Sequence, residues 1–181
     1  KHKSVFVAAT RQNDGKTMTS LGLFNAICKR FDRVSYMKPV GQQYQLIDDE
    51  KVDKDAVLFK NVYDLKDDCK DMSPIAVPKG FTQQFIDSPD IDKYKKILIN
   101  SHKKLKKNSD FLLLEGTGHA GVGSVFSMSN ADVAKLFGVK VVLVSLGGIG
   151  SSIDEIMLNK AVFDLMGVEL MGVIINKVQT D

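Results

Sequence analysis

Residues 5–17 read Val-Phe-Val-Ala-Ala-Thr-Arg-Gln-Asn-Asp-Gly-Lys-Thr, an apolar run followed by a polar loop that ends in Gly15-Lys16-Thr17. The next segment, 18–31, carries apolar residues at helical spacing and so predicts a helix. A strand that leads through such a loop into a helix is typical of a triphosphate cradle, because backbone N–H groups and the positive end of the helix face the phosphates. This stretch therefore predicts a fold class and a nucleotide ligand together.

The loop differs from the usual pattern of Gly, four residues and then Gly-Lys-[Ser/Thr], because Thr10 stands where the first glycine is expected. In that pattern Lys16 would reach the β and γ phosphates, and Thr17 would ligate Mg²⁺. The alternative is that Gly-Lys-Thr occurs in this loop by chance, and the strand before it and the helix after it count against that interpretation. The sequence therefore predicts a phosphate loop that binds a nucleotide with Mg²⁺.

Length and composition are those of one domain with a core of its own. The chain has 181 residues, of which 44% are hydrophobic, and a formal net charge of +3. No apolar run approaches the ~20 residues that span a bilayer, and no signal peptide is apparent, so we expect no membrane partner. Cys28 and Cys69 show no paired spacing, which favours a reduced, cytoplasmic setting. Cys28 is predicted to lie in the core.

Seven lysines lie close together between Lys93 and Lys107. One interpretation is a surface for nucleic acid or an acidic partner. The other is the solvated face of a helix whose Tyr94, Ile97, Leu98 and Leu105 point inward. No aromatic platform interleaves with the lysines, so we favour the helix and expect no nucleic-acid partner.

Predicted strands alternate with predicted helices along the chain. We expect strands at 4–9, 34–37, 111–114, 139–145 and 168–175, and helices at 16–31, 53–62, 91–107, 130–137 and 152–166. The last two strands are continuous apolar runs, which is typical of strands buried on both faces of a parallel sheet. Residues 42–51 are expected to form a mobile loop, and residues 63–90 to be irregular. The pattern predicts a three-layer, doubly wound α/β fold with a mostly parallel sheet, formed by residues 1–181 as a single domain.

Polar residues follow the carboxyl ends of these strands, which is the edge where open parallel sheets bind ligands. Glu115 ends the third strand and is suited to be a second ligand of Mg²⁺, or else to cap the next loop. Lys38 ends the second strand and either reaches the γ phosphate or an anionic substrate, or lies on the surface. Asp53 and Asp55 begin the following helix as caps or as metal ligands, and Asp55 is the better candidate ligand.

Other groups at this edge are candidates for contacts with the nucleotide and the substrate. Asn176 with Lys177 ends the last strand and can contact a purine base. Gln179 stands where a guanine-specific pattern has Asp, so ATP is the expected nucleotide. Glycines at 116–123 and 147–150 permit close backbone approach to a ligand. The candidate substrate contacts are Gln12, Gln42, Gly118, His119 and Gly148.

Together these segments resemble the dethiobiotin synthetase family of P-loop proteins, and its relatives, the N-terminal domains of cobyrinic acid a,c-diamide synthases and of some phosphotransacetylases. The matching segments follow the family's order over nearly the whole chain: VFVAATRQNDGKT at 5–17, YMKPVG at 36–41, DKDAVL at 53–58, DFLLLEGTGHAGVGS at 110–124, VVLVSLGGIGSSIDEI at 141–156 and GVIINK at 172–177. The resemblance implies the fold of P-loop nucleoside triphosphate hydrolases and a homodimer with the substrate near the subunit contact.

The resemblance also implies a reaction. Dethiobiotin synthetase uses ATP and Mg²⁺ to close a cyclic urea on a vicinal diamine: one amine takes up CO₂ as a carbamate, ATP phosphorylates the carbamate, and the second amine displaces phosphate. By this resemblance Lys16 and Lys38 are the catalytic residues, which bind the phosphates and the carbamate. The implied metal ligands are Thr17, Asp55 and Glu115. The implied nucleotide contacts are Thr10, Asn13, Asp14, Gly15, Lys16, Thr17, Met18 and Asn176, the last of them to adenine.

The chain departs from the synthetase pattern at several places. In a variant of the loop that is one residue longer, the first glycine would stand at Ala9, so this chain lacks it in either form. Arg11, Gln12 and Asn13 follow Thr10 where the synthetase has Thr-Asp-Thr-Glu. Gln42 stands where the synthetase has a substrate-facing Ser, which changes the hydrogen-bond donors that select a substrate. The chain also stops where the synthetase has a further strand, so we expect either a domain truncated at its C-terminus or an unusually open purine site.

The sequence leaves three functions open. The first is an ATP- and Mg²⁺-dependent ligase that activates a carbamate or a carboxylate of a small-molecule substrate, with a role in biotin biosynthesis implied by the resemblance. The second is a nucleotide-sensing regulatory domain of a larger protein, as in some phosphotransacetylases. The third is the ATPase domain of an amidoligase like cobyrinic acid diamide synthase, whose glutaminase module would lie beyond Asp181.

Overall fold

Strands and helices alternate along the chain. The computed structural model describes residues 3–179. In this range the strands are β1 (Lys3–Ala9), β2 (Val34–Met37), β3 (Val40–Gly41), β4 (Tyr44–Ile47), β5 (Glu50–Asp53), β6 (Ile75–Ala76), β7 (Phe111–Glu115), β8 (Val141–Leu146) and β9 (Leu170–Asn176). The α-helices are α1 (Lys16–Cys28), α2 (Lys54–Tyr63), α3 (Cys69–Met72), α4 (Phe81–Asp87), α5 (Ile91–Asn108), α6 (Asn130–Phe137) and α7 (Ser151–Leu165). The predicted boundaries differ from these by up to three residues.

Five parallel strands form the central sheet in the order β2-β7-β1-β8-β9. The first strand, β1, is central and fully buried from Phe6 to Ala9. Both α1 and α5 pack on β2 and β7, so they cover opposite faces of the sheet, while α7 packs on β8 and β9. The three-layer, doubly wound α/β prediction is confirmed. It places the loop after β1 between the carboxyl ends of β7 and β8.

The register of β1 and β7 brings the phosphate loop and Glu115 together. Val7 pairs with Glu115, so the carboxylate lies beside the strand that leads into the loop. The next strand, β2, pairs with β7 so that Met37 lies opposite Leu114, and Lys38 follows directly. Three of the predicted strand ends therefore meet at one place.

Two segments are more regular than predicted. Residues 42–51 contain β4 and the start of β5, an antiparallel hairpin whose turn residues Asp48 and Asp49 have positive φ. Asp is among the residues that adopt this conformation most readily, so the turn is stable there. The stretch 63–90 is also not irregular, because it contains α3, β6 and α4. Phe81 and Phe85 of α4 are buried and pack against Phe126, which supplies the hydrophobic contact that fixes this helix.

Two burial predictions are wrong. The last strand, β9, lies at an edge of the sheet, and its Met171, Val173 and Ile175 are 56%, 37% and 48% exposed. Its apolar run therefore does not indicate burial on both faces, although β8 is buried as predicted. Cys28 is exposed at the last turn of α1, whereas Phe24 is buried and Ile27 packs against the core.

The lysine-rich helix α5 has the amphipathic form that its spacing predicts. Leu98 and Leu105 are buried, and Tyr94 and Ile97 pack against the core. Within residues 3–179, no helix combines the length and the apolar character that crossing a membrane requires.

Candidate nucleotide-binding site

The loop between β1 and α1 is organised by Asp14, whose side chain is buried. Its Oδ2 accepts hydrogen bonds from the hydroxyl of Thr10 at 2.6 Å and from the backbone N–H of Arg11 at 2.9 Å. The side chains of Thr10 and Asp14, which were predicted to contact nucleotide, are therefore used inside the loop. Gly15 begins α1 with no side-chain cap, so the first N–H groups of that helix remain available to an anion.

The end of β9 holds the phosphate loop from behind. Asn176 donates its side-chain N–H to the carbonyl of Asp14 at 2.8 Å, and the Lys177 ammonium donates to the carbonyl of Asn13 at 2.8 Å. Gly15 has φ +91°, and a Cβ there would lie 2.1 Å from Nδ2 of Asn176. Only glycine fits this position. The predicted adenine contact, Asn176, thus uses one of its two side-chain N–H groups to hold the loop.

Gly15→Ala is expected to weaken nucleotide binding and to destabilise the fold by about 1–3 kcal/mol, because the new methyl group would displace Asn176 and strain the backbone. Gly22→Ala in α1 is the matched control. A Cβ at Gly22 meets nothing within 4 Å, and alanine favours a helix by up to ~1 kcal/mol over glycine. Urea denaturation and nucleotide titration of both variants check the prediction. Normal nucleotide affinity in the Gly15 variant would contradict it.

Two lysines converge on one oxygen of Glu115. Oε1 of Glu115 lies 3.0 Å from Nζ of Lys16 and 3.0 Å from Nζ of Lys38, and it accepts a hydrogen bond from the Thr17 hydroxyl at 3.2 Å. Lys38 also contacts Oδ2 of Asp55 at 2.6 Å. Glu115 is fully buried and Lys38 nearly so. The five residues predicted as catalytic groups and metal ligands are therefore brought together, with two positive and two negative charges in balance.

Burial and charge act in opposite directions on these groups. Burial lowers the pKa of Lys16, and this effect exceeds the attraction of Glu115. Burial acts in the same direction on Lys38, but there Glu115 and Asp55 outweigh it and raise the pKa above its ordinary value. Burial raises the pKa of Glu115, yet Lys38 and Lys16 together hold that pKa below its usual range. Lys38 contacts two carboxylates, those of Asp55 and Glu115, whereas Lys16 contacts Glu115 alone among the described residues. Lys16 is therefore the lysine better suited to exchange its carboxylate for a phosphate.

The donor set fits Mg²⁺, which prefers hard oxygen ligands and keeps few of them from the protein. A hydroxyl oxygen of Thr17 and the carboxylate oxygens of Asp55 and Glu115 are in place, and in the free site the ammonium groups of Lys16 and Lys38 neutralise those carboxylates. Within the described residues, no three His, Cys, Asp or Glu side chains are grouped closely enough to hold a metal by themselves. Phosphate oxygens of a nucleotide would have to complete the coordination.

A cavity of about 320 Å³ lies beside this cluster. Its lining residues come from the phosphate loop, the start of α1, the ends of β2 and β5, the connection between β3 and β4, the start of α2 and the loop after β7: Arg11, Gln12, Asn13, Gly15, Lys16, Thr17, Met18, Lys38, Gln42, Gln43, Asp53, Asp55, Thr117 and Gly118. The predicted substrate contacts Gln12, Gln42 and Gly118 are among them. Arg11, Gln43 and Thr117 were not singled out, although their neighbours in the sequence were.

Two predicted substrate contacts lie elsewhere. His119 is exposed, and its Nδ1 accepts a hydrogen bond from the N–H of Gly121 in its own loop at 3.2 Å. Gly148, after β8, lies against Ser152 at the start of α7, and neither lines the cavity. Of the five strand ends expected to converge, those of β1, β2 and β7 do so. The end of β9 contacts the back of the phosphate loop instead.

Two buried amide side chains that sequence reasoning missed fix the loop after β7. Asn130 accepts from the N–H of Thr117 at 3.0 Å and donates to the carbonyl of His119 at 2.7 Å. Asn159 of α7 accepts from the N–H of Ala120 at 2.8 Å and donates to the carbonyl of Thr10 at 3.3 Å. Asn159 thus connects two loops: the loop after β7, which lines the cavity, and the phosphate loop.

A phosphate loop after the central strand, with a buried lysine–carboxylate cluster at its side, defines a P-loop nucleotide-binding domain. The family described as an AAA domain, AAA_26, matches residues 3–181, and the chain belongs to this family of P-loop domains.

Curated relatives include two kinds of enzyme. The ATP-dependent dethiobiotin synthetase of Methanocaldococcus jannaschii is 28% identical over 177 residues, which cover 95% of this chain and 78% of the relative. The phosphate acetyltransferase of Synechocystis is 24% identical over 182 residues, which cover 98% of this chain but only 25% of the relative. The family resemblance read from the sequence is therefore confirmed.

Among solved structures, a putative plasmid partition protein from Borrelia burgdorferi, bound to AMPPNP, matches with a TM-score of 0.62 at 11% identity. The match covers 100% of this chain and 78% of that one. At this identity the likeness shows the fold alone.

Proposed function

We propose that this chain is an ATP- and Mg²⁺-dependent ligase domain that activates a carbamate or a carboxylate by phosphorylation. The observation that carries the proposal is the meeting of Lys16 and Lys38 on Glu115 beside the cavity. A hydrolase needs to place only a water molecule opposite the γ phosphate. A second buried lysine on the acceptor side is suited to an anionic acceptor instead. Similarity to dethiobiotin synthetase supports the same reaction class.

In this proposal Lys16 leaves Glu115 and binds the β and γ phosphates of ATP. The N–H groups at the start of α1 face the same phosphates. Asn176 and Lys177 keep the loop in shape from behind. The phosphate charge would replace that of Glu115 as the partner of the Lys16 ammonium.

Lys38 would orient the acceptor. Its ammonium lies between Asp55 and Glu115 at the wall of the cavity that Lys16 also lines, so a carbamate or carboxylate bound to Lys38 would share that cavity with the phosphates. That oxygen attacks phosphorus, the bond to the bridging oxygen of ADP breaks, and a mixed anhydride forms. Lys38 neutralises the charge that spreads over the transferring group. A nucleophilic amine of the substrate would then displace phosphate from the anhydride.

Thr17, Asp55 and Glu115 would hold Mg²⁺. When bound, the metal would supply positive charge that offsets part of the negative charge of the phosphates. The acceptor's remaining contacts would come from the outer wall of the cavity, where Arg11, Gln12 and Gln42 present polar groups. A small-molecule acceptor and a homodimer stay predictions that belong to this proposal.

A second candidate is a nucleotide-sensing regulatory domain. The observation that favours it is the match to phosphate acetyltransferases over nearly all of this chain and a quarter of theirs. In this candidate the same loop and lysines would bind nucleotide without transferring a phosphoryl group. The loop has Ala9 and Thr10 where the first glycine usually stands, which is compatible with a loop that binds a nucleotide without catalysing phosphoryl transfer.

Calorimetric titration distinguishes the two candidates. A non-hydrolysable ATP analogue with Mg²⁺ is titrated into the protein alone, with a vicinal diamine plus bicarbonate, and with a monoamine plus bicarbonate as the matched control. Nucleotide binding that tightens only with the diamine is expected of the synthetase reaction. Binding that is indifferent to both amines points to the regulatory or amidating alternatives, and absence of binding contradicts the proposal.

A further inference from the structure

The second buried strand of the site carries a tyrosine that the proposed reaction does not use. Tyr36 of β2 is 0% exposed, and its ring stacks on Phe59 of α2 with centroids 3.8 Å apart. Its hydroxyl oxygen is buried and makes no hydrogen bond with any described residue. Leaving such a group unpaired costs about 1–3 kcal/mol, so a buried tyrosine hydroxyl without a partner calls for an explanation.

One carboxylate oxygen of Glu115 is likewise buried and without a hydrogen-bond partner among the described residues. Oε1 contacts Lys16, Lys38 and Thr17, whereas Oε2 is buried and makes no hydrogen bond within the described part of the chain. A carboxylate with all its donors on one oxygen is free to turn about its terminal torsion, which is soft. If Lys16 leaves for the phosphates, Lys38 and Thr17 still contact Oε1, but no described residue holds Oε2.

The sheet places these two unpaired atoms on the same face. Tyr36 pairs with Leu113 in the parallel register of β2 and β7. Glu115 follows Leu113 by two residues and therefore projects from the same face of the sheet, as a diagonal neighbour of Tyr36. A phenol hydroxyl donates one hydrogen bond and a carboxylate oxygen accepts, so the two unpaired atoms are complementary.

We infer that Tyr36 is a positioning residue of the metal site, whose hydroxyl donates a hydrogen bond to Oε2 of Glu115 and so directs Oε1 toward Thr17 and the metal. The inference rests on the proposed function, because it assigns Glu115 as a ligand of Mg²⁺. Hydrogen bonds to the far oxygen of a ligating carboxylate commonly fix its orientation, and their loss lowers metal affinity about 10–100-fold.

Tyr36→Phe tests the inference, because it removes the hydroxyl and keeps the ring that stacks on Phe59. Tyr63→Phe is the matched control. Tyr63 belongs to the same aromatic cluster, with its ring 5.9 Å from that of Phe59, but its hydroxyl donates to the carbonyl of Leu21. Three quantities are measured for each protein: the melting temperature, the affinity for the ATP analogue without metal, and the Mn²⁺ concentration that half-saturates the ternary complex, read from the Mn²⁺ electron paramagnetic resonance signal.

We expect Tyr36→Phe to raise the half-saturating Mn²⁺ concentration about tenfold or more, with metal-free nucleotide affinity unchanged and Tyr63→Phe close to wild type. A Mn²⁺ requirement in the Tyr36 variant within twofold of the Tyr63 variant would overturn the inference. Equal loss of metal-free nucleotide binding would also overturn it, because Tyr36 would then support the fold of the site generally. If the wild-type protein binds nucleotide without any metal dependence, the proposed function fails first, and this is visible before either variant is made.

Discussion

Lys16→Ala is expected to abolish nucleotide binding, with at least ~100-fold weaker affinity for an ATP analogue. Lys16 ends the phosphate loop and lies 3.0 Å from Glu115 at the wall of the cavity. A lysine that reaches two phosphates makes two charged hydrogen bonds, and each contributes about 1.5–3 kcal/mol. Isothermal titration calorimetry with the analogue and Mg²⁺ measures the loss.

The control for this substitution is Lys103→Ala, which removes an exposed lysine of α5 that does not line the cavity. It changes the net charge by the same amount and should leave nucleotide affinity unchanged. The fold of the Lys16 variant should persist, because Lys38 still pairs with Glu115. Full affinity in the Lys16 variant would refute the phosphate-loop assignment on which the whole site depends.

Glu115→Gln is expected to produce the largest loss of stability, about 3–5 kcal/mol in the free energy of unfolding. The carboxylate is fully buried and is the shared partner of Lys16 and Lys38. Its neutralisation leaves two buried or partly buried ammonium groups with Asp55 as the one carboxylate in contact with Lys38. An uncompensated buried charge costs more than the lost ion pair itself. Urea denaturation at neutral pH measures the change.

The double variant Lys38→Met with Glu115→Gln separates charge from packing. It removes one cation and one anion together, so the cluster returns to balance. We expect the double variant to unfold at a higher urea concentration than Glu115→Gln alone, although it carries one more substitution. Strict additivity of the two single changes would show that Lys38 and Glu115 do not interact in the folded protein.

Much of the site could be predicted from the sequence because its residues lie at the ends of buried strands. Parallel strands share one carboxyl edge, so Lys38 and Glu115 could be placed near Lys16 without knowing the strand order. The order itself could not be derived from composition. An apolar run such as β9 has the same appearance at the edge of a sheet as at its centre, which is why its burial was wrongly predicted.

The hydrogen bonds that join distant loops could not be predicted from the sequence either, for a different reason. Asn130 and Asn159 are ordinary helix residues by type and spacing, and their importance comes from the backbone groups that they meet in other loops. The same holds for Tyr36, because the role inferred for its hydroxyl depends on the pairing of β2 with β7, which brings it near Glu115. A side chain's role as a partner of another segment depends on tertiary structure, and one sequence does not specify it.

Asn176 and Lys177 donate hydrogen bonds to the carbonyls of Asp14 and Asn13. The phosphate loop therefore depends on residues that are synthesised after it. The two side chains that shape the phosphate loop, Asn176 and Lys177, are made about 160 residues after the loop itself. The nascent chain can form its local helices early, but the mature conformation of the loop must wait for the final strand to join the sheet. Competence to recognise phosphates is therefore acquired only after β9 has joined the sheet, when the strands and helices between the loop and β9 already exist to support it.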